Sequence, residues 1–199
     1  MKFRGFKKIE SIKKLRRYHL PVPETIFIFN FKKQEKEIDD FLKGKKIISV
    51  RSDSASKSTF CPNIPRCPRG KAKLFAEKIN KQGYAVILHE YLSVNKGRIA
   101  AGHILILKNY ILMELIGSGA GSRLDRDGKI EEQIKFRKGN LKEVEHFGKR
   151  LTESRVLRNI AKLVKNIPPF KVLDFVLMKK GLYFYQIQED KTARQLEGN

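Results

Sequence analysis

The stretch "FKVLDFVLMKKGLYFYQIQED", residues 170–190, constrains this chain most. Apolar side chains alternate on either side of Lys179, Lys180 and Gly181, which reads as a β-hairpin with glycine at the loop position that needs a positive φ. A loop of those residues pairs Met178 with Leu182, Val176 with Phe184, Asp174 with Gln186 and Val172 with Gln188 on one face. Leu173, Phe175, Leu177, Tyr183, Tyr185 and Ile187 fall on the other. Apolar residues on both faces predict an interior hairpin, where an uncompensated amide costs about 1–3 kcal/mol and a carboxylate more. Asp174, Gln186 and Gln188 therefore need partners. Water or neighbouring backbone is one source; a magnesium ion, which prefers hard oxygen ligands, is the other.

The rest of the chain divides into elements around this hairpin. Ile9, Ile12 and Leu15 recur at helical spacing over residues 7–18, and "LPVPE" stops that helix. "TIFIFNF" reads as a strand, "KKQEKEIDDFLKG" as a helix with Gly44 at its end, and "KKIISVRS" as a buried strand. A proline-rich loop carrying Cys61 and Cys67 precedes a helix in "GKAKLFAEKINKQG". Strands follow in "YAVILHEYL", "IAAGHILILK", "YILMELI" and, after the glycine-rich loop at 117–128, in "KIEEQIKF". A long charged helix is expected over residues 140–165 and a frayed tail over 191–199. This order predicts an α+β fold of mostly antiparallel sheets with flanking helices, in two lobes over residues 1–88 and 89–190.

Charge narrows the partners. Lys and Arg number 43 against 21 Asp and Glu, a net +22, so the surface attracts polyanions: nucleotides, nucleic acid or anionic membrane. No apolar run is long enough for a membrane span and the N-terminus lacks the apolar core of a signal peptide, so a soluble, cytoplasmic protein is expected. The spacing of Cys61 and Cys67 matches neither a zinc knuckle nor a redox motif, which leaves two reduced thiols as the default. His89 and His103 read first as ordinary strand residues. "GSGAG", 117–121, is not followed by a helix as a dinucleotide fingerprint requires. "SVRSDSASKS" places Arg51 beside small hydroxylated residues, an arrangement suited to phosphate oxygens.

Taken in order, these segments resemble the ATP-grasp nucleotide-binding domain of phosphoenolpyruvate synthase and pyruvate phosphate dikinase. "KKIESIKKLRRYHLPVPETIFI" resembles that domain's opening, and Lys8 stands at the spacing of its ATP-contacting lysine. "ISVRSDSA" resembles its phosphate-binding segment, which makes Arg51 the phosphate-binding and catalytic arginine. "AVILHEYL" resembles the strand that meets adenine, with His89, Glu90, Tyr91 and Leu92 as the hinge, and "AAGHILIL" resembles the strand after it. "KVLDFVLMKKGLYFYQIQED" is similar to the closing hairpin, which implies Asp174 and Gln186 as ligands of magnesium and ATP. Gln188 stands at the place of an arginine used in phosphoryl transfer.

The resemblance implies ATP and magnesium as cofactors and a phosphotransferase or ligase with an unspecified acceptor, ATP lying between the lobes. Glu114 and Asp127 are candidate bases. Two alternatives stand beside it: a basic nucleic-acid-binding module without catalysis, and a nucleotide-binding module with a degenerate active site whose basic faces dock an acidic protein.

Overall fold

A computed structural model describes residues 5–56, 61–92, 97–117 and 130–190. It divides the chain into two compact units, Met1–Lys13 with Val22–Leu92 and Lys14–Pro21 with Ser93–Asn199. The tail at 191–199, most of the glycine-rich loop and Asp127 lie outside the described residues.

The first unit is a four-stranded sheet covered on both faces. Its strands, β1 (Thr25–Ile28), β2 (Ile47–Asp53), β3 (Asn63–Pro68) and β4 (Ala85–Glu90), lie in the order β1-β4-β2-β3, antiparallel throughout. Alternation along β2 and β4 assigns the faces. Ile48, Val50, Val86 and Leu88 pack with helices α2 (Glu35–Leu42) and α3 (Arg69–Lys81), through Ile38, Phe41, Ala72 and Ala76. Ala85 and Ile87 on the opposite face pack with Ile9 and Ile12 of α1 (Lys7–Arg17), which begins in this unit.

The prolines around Cys67 do not make the expected loop. They form β3, an edge strand, where a missing backbone N–H costs no ladder bond on the outer side. A register shift opposite Ser49 accommodates them, and Ser49 Oγ donates to the Pro65 carbonyl at 3.0 Å. Both cysteines are free thiols; Cys67 is fully buried, which raises its pKa despite the nearby Lys71.

The second unit holds a six-stranded antiparallel sheet of β5 (Arg98–Ile106), β6 (Tyr110–Gly117), β7 (Glu132–Arg137), β8 (Glu143–Gly148), β9 (Lys171–Met178) and β10 (Gly181–Glu189). Their order is β10-β9-β5-β6-β7-β8. The long helix expected over 140–165 is instead β8 followed by the shorter α4 (Ser154–Val164). β8 is an edge strand with little burial, and charged side chains on an exposed edge look like a polar helix in sequence while they discourage further strand pairing. Gly148 makes this edge possible: a Cβ there would stand 2.1 Å from the Glu131 carbonyl oxygen, and its φ is 82°.

The hairpin differs from expectation at its tip. Lys179 and Lys180 alone turn the chain, and Gly181 pairs with Met178, Leu182 with Leu177 and Phe184 with Phe175. A bulge at Tyr185 then restores the expected pairs, Gln186 with Asp174 and Gln188 with Val172. The shift brings Phe184, fully buried, against Phe175 and leaves Tyr183 and Tyr185 half-buried. Nor is the hairpin interior on both faces: Val176 and Met178 are buried near the tip, but Asp174 and Gln186 are half-buried and Gln188 is exposed. Among the described residues no helix is long and apolar enough to cross a membrane.

Candidate functional site

Two clusters of polar side chains collect the predicted residues, one in each unit. The first forms where β2 ends. Asp53, 3% exposed, accepts hydrogen bonds from the Ile9 amide at 2.9 Å and the Ser54 amide at 3.0 Å. A carboxylate that takes up an otherwise unpaired amide in a helix's first turn fixes that turn. Lys8 is thereby held at β2, and its Nζ donates to the Ser52 carbonyl at 2.7 Å. Burial chiefly, and then the Arg51 charge, hold the Lys8 ammonium below its ordinary pKa range, against the opposing pull of Cys61 and Asp53.

Arg51 shares a face with this helix, directly opposite Ile87 of β4. Two positions along β4 on that face stands His89, 7% exposed, pushed down to about 4 by burial and then by the Arg51 charge. Its imidazole is neutral at pH 7. Arg51 thus acts on both Lys8 and His89, and the two cations, Lys8 and Arg51, favour an anion over a further cation. The proposed hinge is less uniform. His89 and Glu90 are laddered within β4, His89 against both Thr25 and Ser49, while Tyr91 and Leu92 follow the strand. The Glu90 amide donates to the Glu24 carbonyl at 2.9 Å.

The second cluster is a row across the six-stranded sheet. Register places Gln186, Asp174, His103, Glu114 and Gln133 side by side on five adjacent strands, all on one face. That face is half-exposed, while the opposite one, with Ile104, Met113, Ile134 and Leu173, is fully buried. His103 Nδ1 is 2.8 Å from Asp174 Oδ1, and Gln133 Nε2 donates to Glu114 Oε1 at 3.1 Å. Gln186 Nε2 donates to Gln188 Oε1, also at 3.1 Å. A cavity of about 300 Å³ opens on this row, lined by His103, Glu114, Gln188 and Asp190 with Leu105, Leu112 and Val172. Gly102 permits the close approach of β5 to β6 beside His103, since a Cβ there would lie 1.9 Å from the Glu114 carbonyl oxygen.

The partner of Asp174 that the sequence left open is a histidine. His103 was legible only as a strand residue, because its position opposite Asp174 depends on β5 pairing with β9, a long-range contact. Asp53 was likewise missed: nothing local marks it as the cap of a helix 44 residues away. Among the described residues no three His, Cys, Asp or Glu side chains converge as a metal cage. Asp174 and Gln186 supply one carboxylate and one carboxamide, a set that suits a magnesium ion already carried by phosphates and not the bare ion.

The architecture is the ATP-grasp fold. D-alanine–D-alanine ligase from Helicobacter pylori superposes with a TM-score of 0.56 at 10% identity over 95% of this chain and 55% of that one. D-alanine–D-alanine ligase from Bacillus anthracis, solved with ATP, gives 0.53 at 12% identity over 93% and 56%. A RimK domain protein of ATP-grasp type from Sphaerobacter thermophilus gives 0.54 at 10% identity over 98% and 62%. The chain therefore spans between about half and two thirds of the length of these structures. No protein-family model and no curated protein matches the sequence.

Proposed function

We propose that this chain binds ATP as an ATP-grasp protein and serves an ATP-dependent ligase or phosphotransferase reaction. The observation that carries the reading is the convergence of Lys8 and Arg51 at the end of β2, on a fold whose solved examples include a ligase complexed with ATP. Both residues stand at the positions that the resemblance to the nucleotide domain of phosphoenolpyruvate synthase and pyruvate phosphate dikinase assigns to phosphate contacts. That finer kinship is part of the proposal.

In this reading Lys8 and Arg51 neutralise phosphate oxygens, Arg51 as a planar fork and Lys8 as a point charge. Burial makes the Lys8 ammonium more responsive to a phosphate than an exposed lysine would be. Backbone groups at Tyr91 and Leu92, beyond the laddered part of β4, meet the base; His89 supports them from within. On the second unit Asp174 and Gln186 would hold magnesium that arrives with the nucleotide, and that ion would supply charge neutralisation at the transferring phosphoryl group. His103 orients the Asp174 carboxylate. Gln188 lines the cavity on the same row and offers a neutral amide to the acceptor or phosphate. Glu114 and Asp190 bring carboxylates to that cavity.

Isothermal titration with ATP, with and without magnesium, tests the reading. Wild-type protein is expected to bind ATP at sub-millimolar concentration, more tightly with magnesium. Lys8→Ala and Asp174→Ala are each expected to weaken MgATP binding about tenfold or more, the loss of one charge-assisted contact. A folded wild type with no heat signal at millimolar MgATP overturns the proposal.

A further inference from the structure

At the end of the second unit's sheet away from the polar row lies a cavity of about 710 Å³. The turn between β5 and β6 contributes Lys108 and Asn109, the end of β7 and the residue after it contribute Arg137 and Lys138, and the segment after α4 contributes Lys165 and Asn166. Among the described residues, four cations line it and no carboxylate does; Tyr110 and Gly139 complete the wall. Its walls are tied together. The Lys138 amide donates to the Asn109 carbonyl at 2.8 Å, joining the two turns, and Lys138 Nζ donates to the Ile167 carbonyl at 3.2 Å, joining them to the chain beyond α4. A nearby carboxylate, Glu145, is engaged by Lys135 at 2.9 Å, and Lys135 also sits 4.6 Å above the Tyr110 ring.

We propose that this cavity is a second anion site, for a ligand carrying at least two phosphate groups. Four positive side chains around one concavity set up a local positive field, which a ligand bringing comparable negative charge into that volume complements. Phosphate groups deliver this charge compactly, and the donors present suit them: an arginine fork, lysine ammonium groups and carboxamide N–H groups. An acidic peptide spreads the same charge over several residues. The aromatic faces here do not suggest base stacking, since Lys135 covers Tyr110 and Lys108 lies 5.8 Å from the Phe170 ring. The site reads phosphate, from a free oligophosphate or from a nucleic-acid backbone. It is distinct from the polar row: none of its lining residues lines the cavity on that row.

Amide chemical-shift mapping of the wild-type chain during titration with tripolyphosphate tests the site directly. Shifts at residues 108–110, 137–139 and 165–166 are expected, saturating with a dissociation constant independent of any shifts around Lys8 and Arg51, so failure here is distinguishable from failure of the nucleotide proposal. Lys108→Gln with Lys165→Gln is expected to weaken the cavity's binding at least tenfold. Arg155→Gln with Arg158→Gln, which removes the same charge from α4 outside the cavity, is expected to change it less than twofold. A decamer of single-stranded RNA that displaces tripolyphosphate, with a salt dependence reduced in the Lys108/Lys165 variant, identifies nucleic acid as the source; RNA that fails to displace it identifies a free oligophosphate. The proposal is overturned by shifts scattered over the basic surface, by equal weakening in both double variants, or by equally effective displacement with a glutamate decapeptide.

Discussion

His103 Nδ1 and Asp174 Oδ1 meet at 2.8 Å across neighbouring strands that are 71 residues apart in sequence. The pair is about one-third exposed on each side, so its energy is that of a screened contact. Gln186 and Glu114 flank it on the next strands out, and Gly102 sets the spacing of the strands beside it.

A double-mutant cycle with His103→Asn and Asp174→Asn, read by urea denaturation at pH 6, is expected to give a coupling on the order of 0.5–1 kcal/mol that shrinks in 1 M salt. A coupling indistinguishable from zero at low salt would show that the two groups merely adjoin.

Stability is expected to fall with pH through His89. Its folded pKa, about 4, lies below the ordinary 6.5, so the unfolded chain binds the proton more readily between those values. The stabilisation is complete above pH 6.5 and is lost as pH falls toward 4, by about 2 kcal/mol between pH 7 and pH 5. Denaturation curves of wild type and His89→Gln at the two pH values isolate this contribution, and an equal loss in both proteins contradicts it.

Gly102→Ala is expected to cost on the order of 2–3 kcal/mol, because its Cβ meets backbone at 1.9 Å and the β5–β6 ladder must part at His103. Gly70→Ala provides the contrast. Its Cβ would meet nothing within 4 Å in α3, so the substitution is expected to be neutral or to stabilise by up to about 1 kcal/mol. Thermal or urea unfolding that ranks the two the other way would refute the steric argument.

Asp53→Ala leaves the Ile9 amide without its acceptor and releases the α1 start from β2. A destabilisation of about 2 kcal/mol is expected, together with weaker ATP binding as Lys8 loses its position. Asp53→Asn, which retains an acceptor oxygen, is expected to recover most of the stability. Equal losses in both variants would mean that charge, and not the cap, is what matters.

Much of this protein follows from local pattern. Helical spacing of Ile9, Ile12 and Leu15, the 69–81 helix, and the alternating runs of the central strands are short-range signals, and the structure follows them closely. The expected pairing of Asp174 with Gln186 is found, but not for the reason the turn suggested: the loop is one residue shorter than expected, and the Tyr185 bulge, which no local pattern marks, restores the register. Edge strands were not legible. β3 carries prolines and β8 carries charges, both consistent with loop or helix until a neighbouring strand supplies the missing hydrogen bonds. The same holds for chemistry. Residue types suited to phosphate could be read at Lys8 and Arg51, and a carboxylate at Asp174, but the partners that position them, Asp53 and His103, come from distant segments. Side-chain identity determined what each group can do; tertiary pairing alone decided which groups stand together, because contacts across tens of residues leave no periodic trace in the chain.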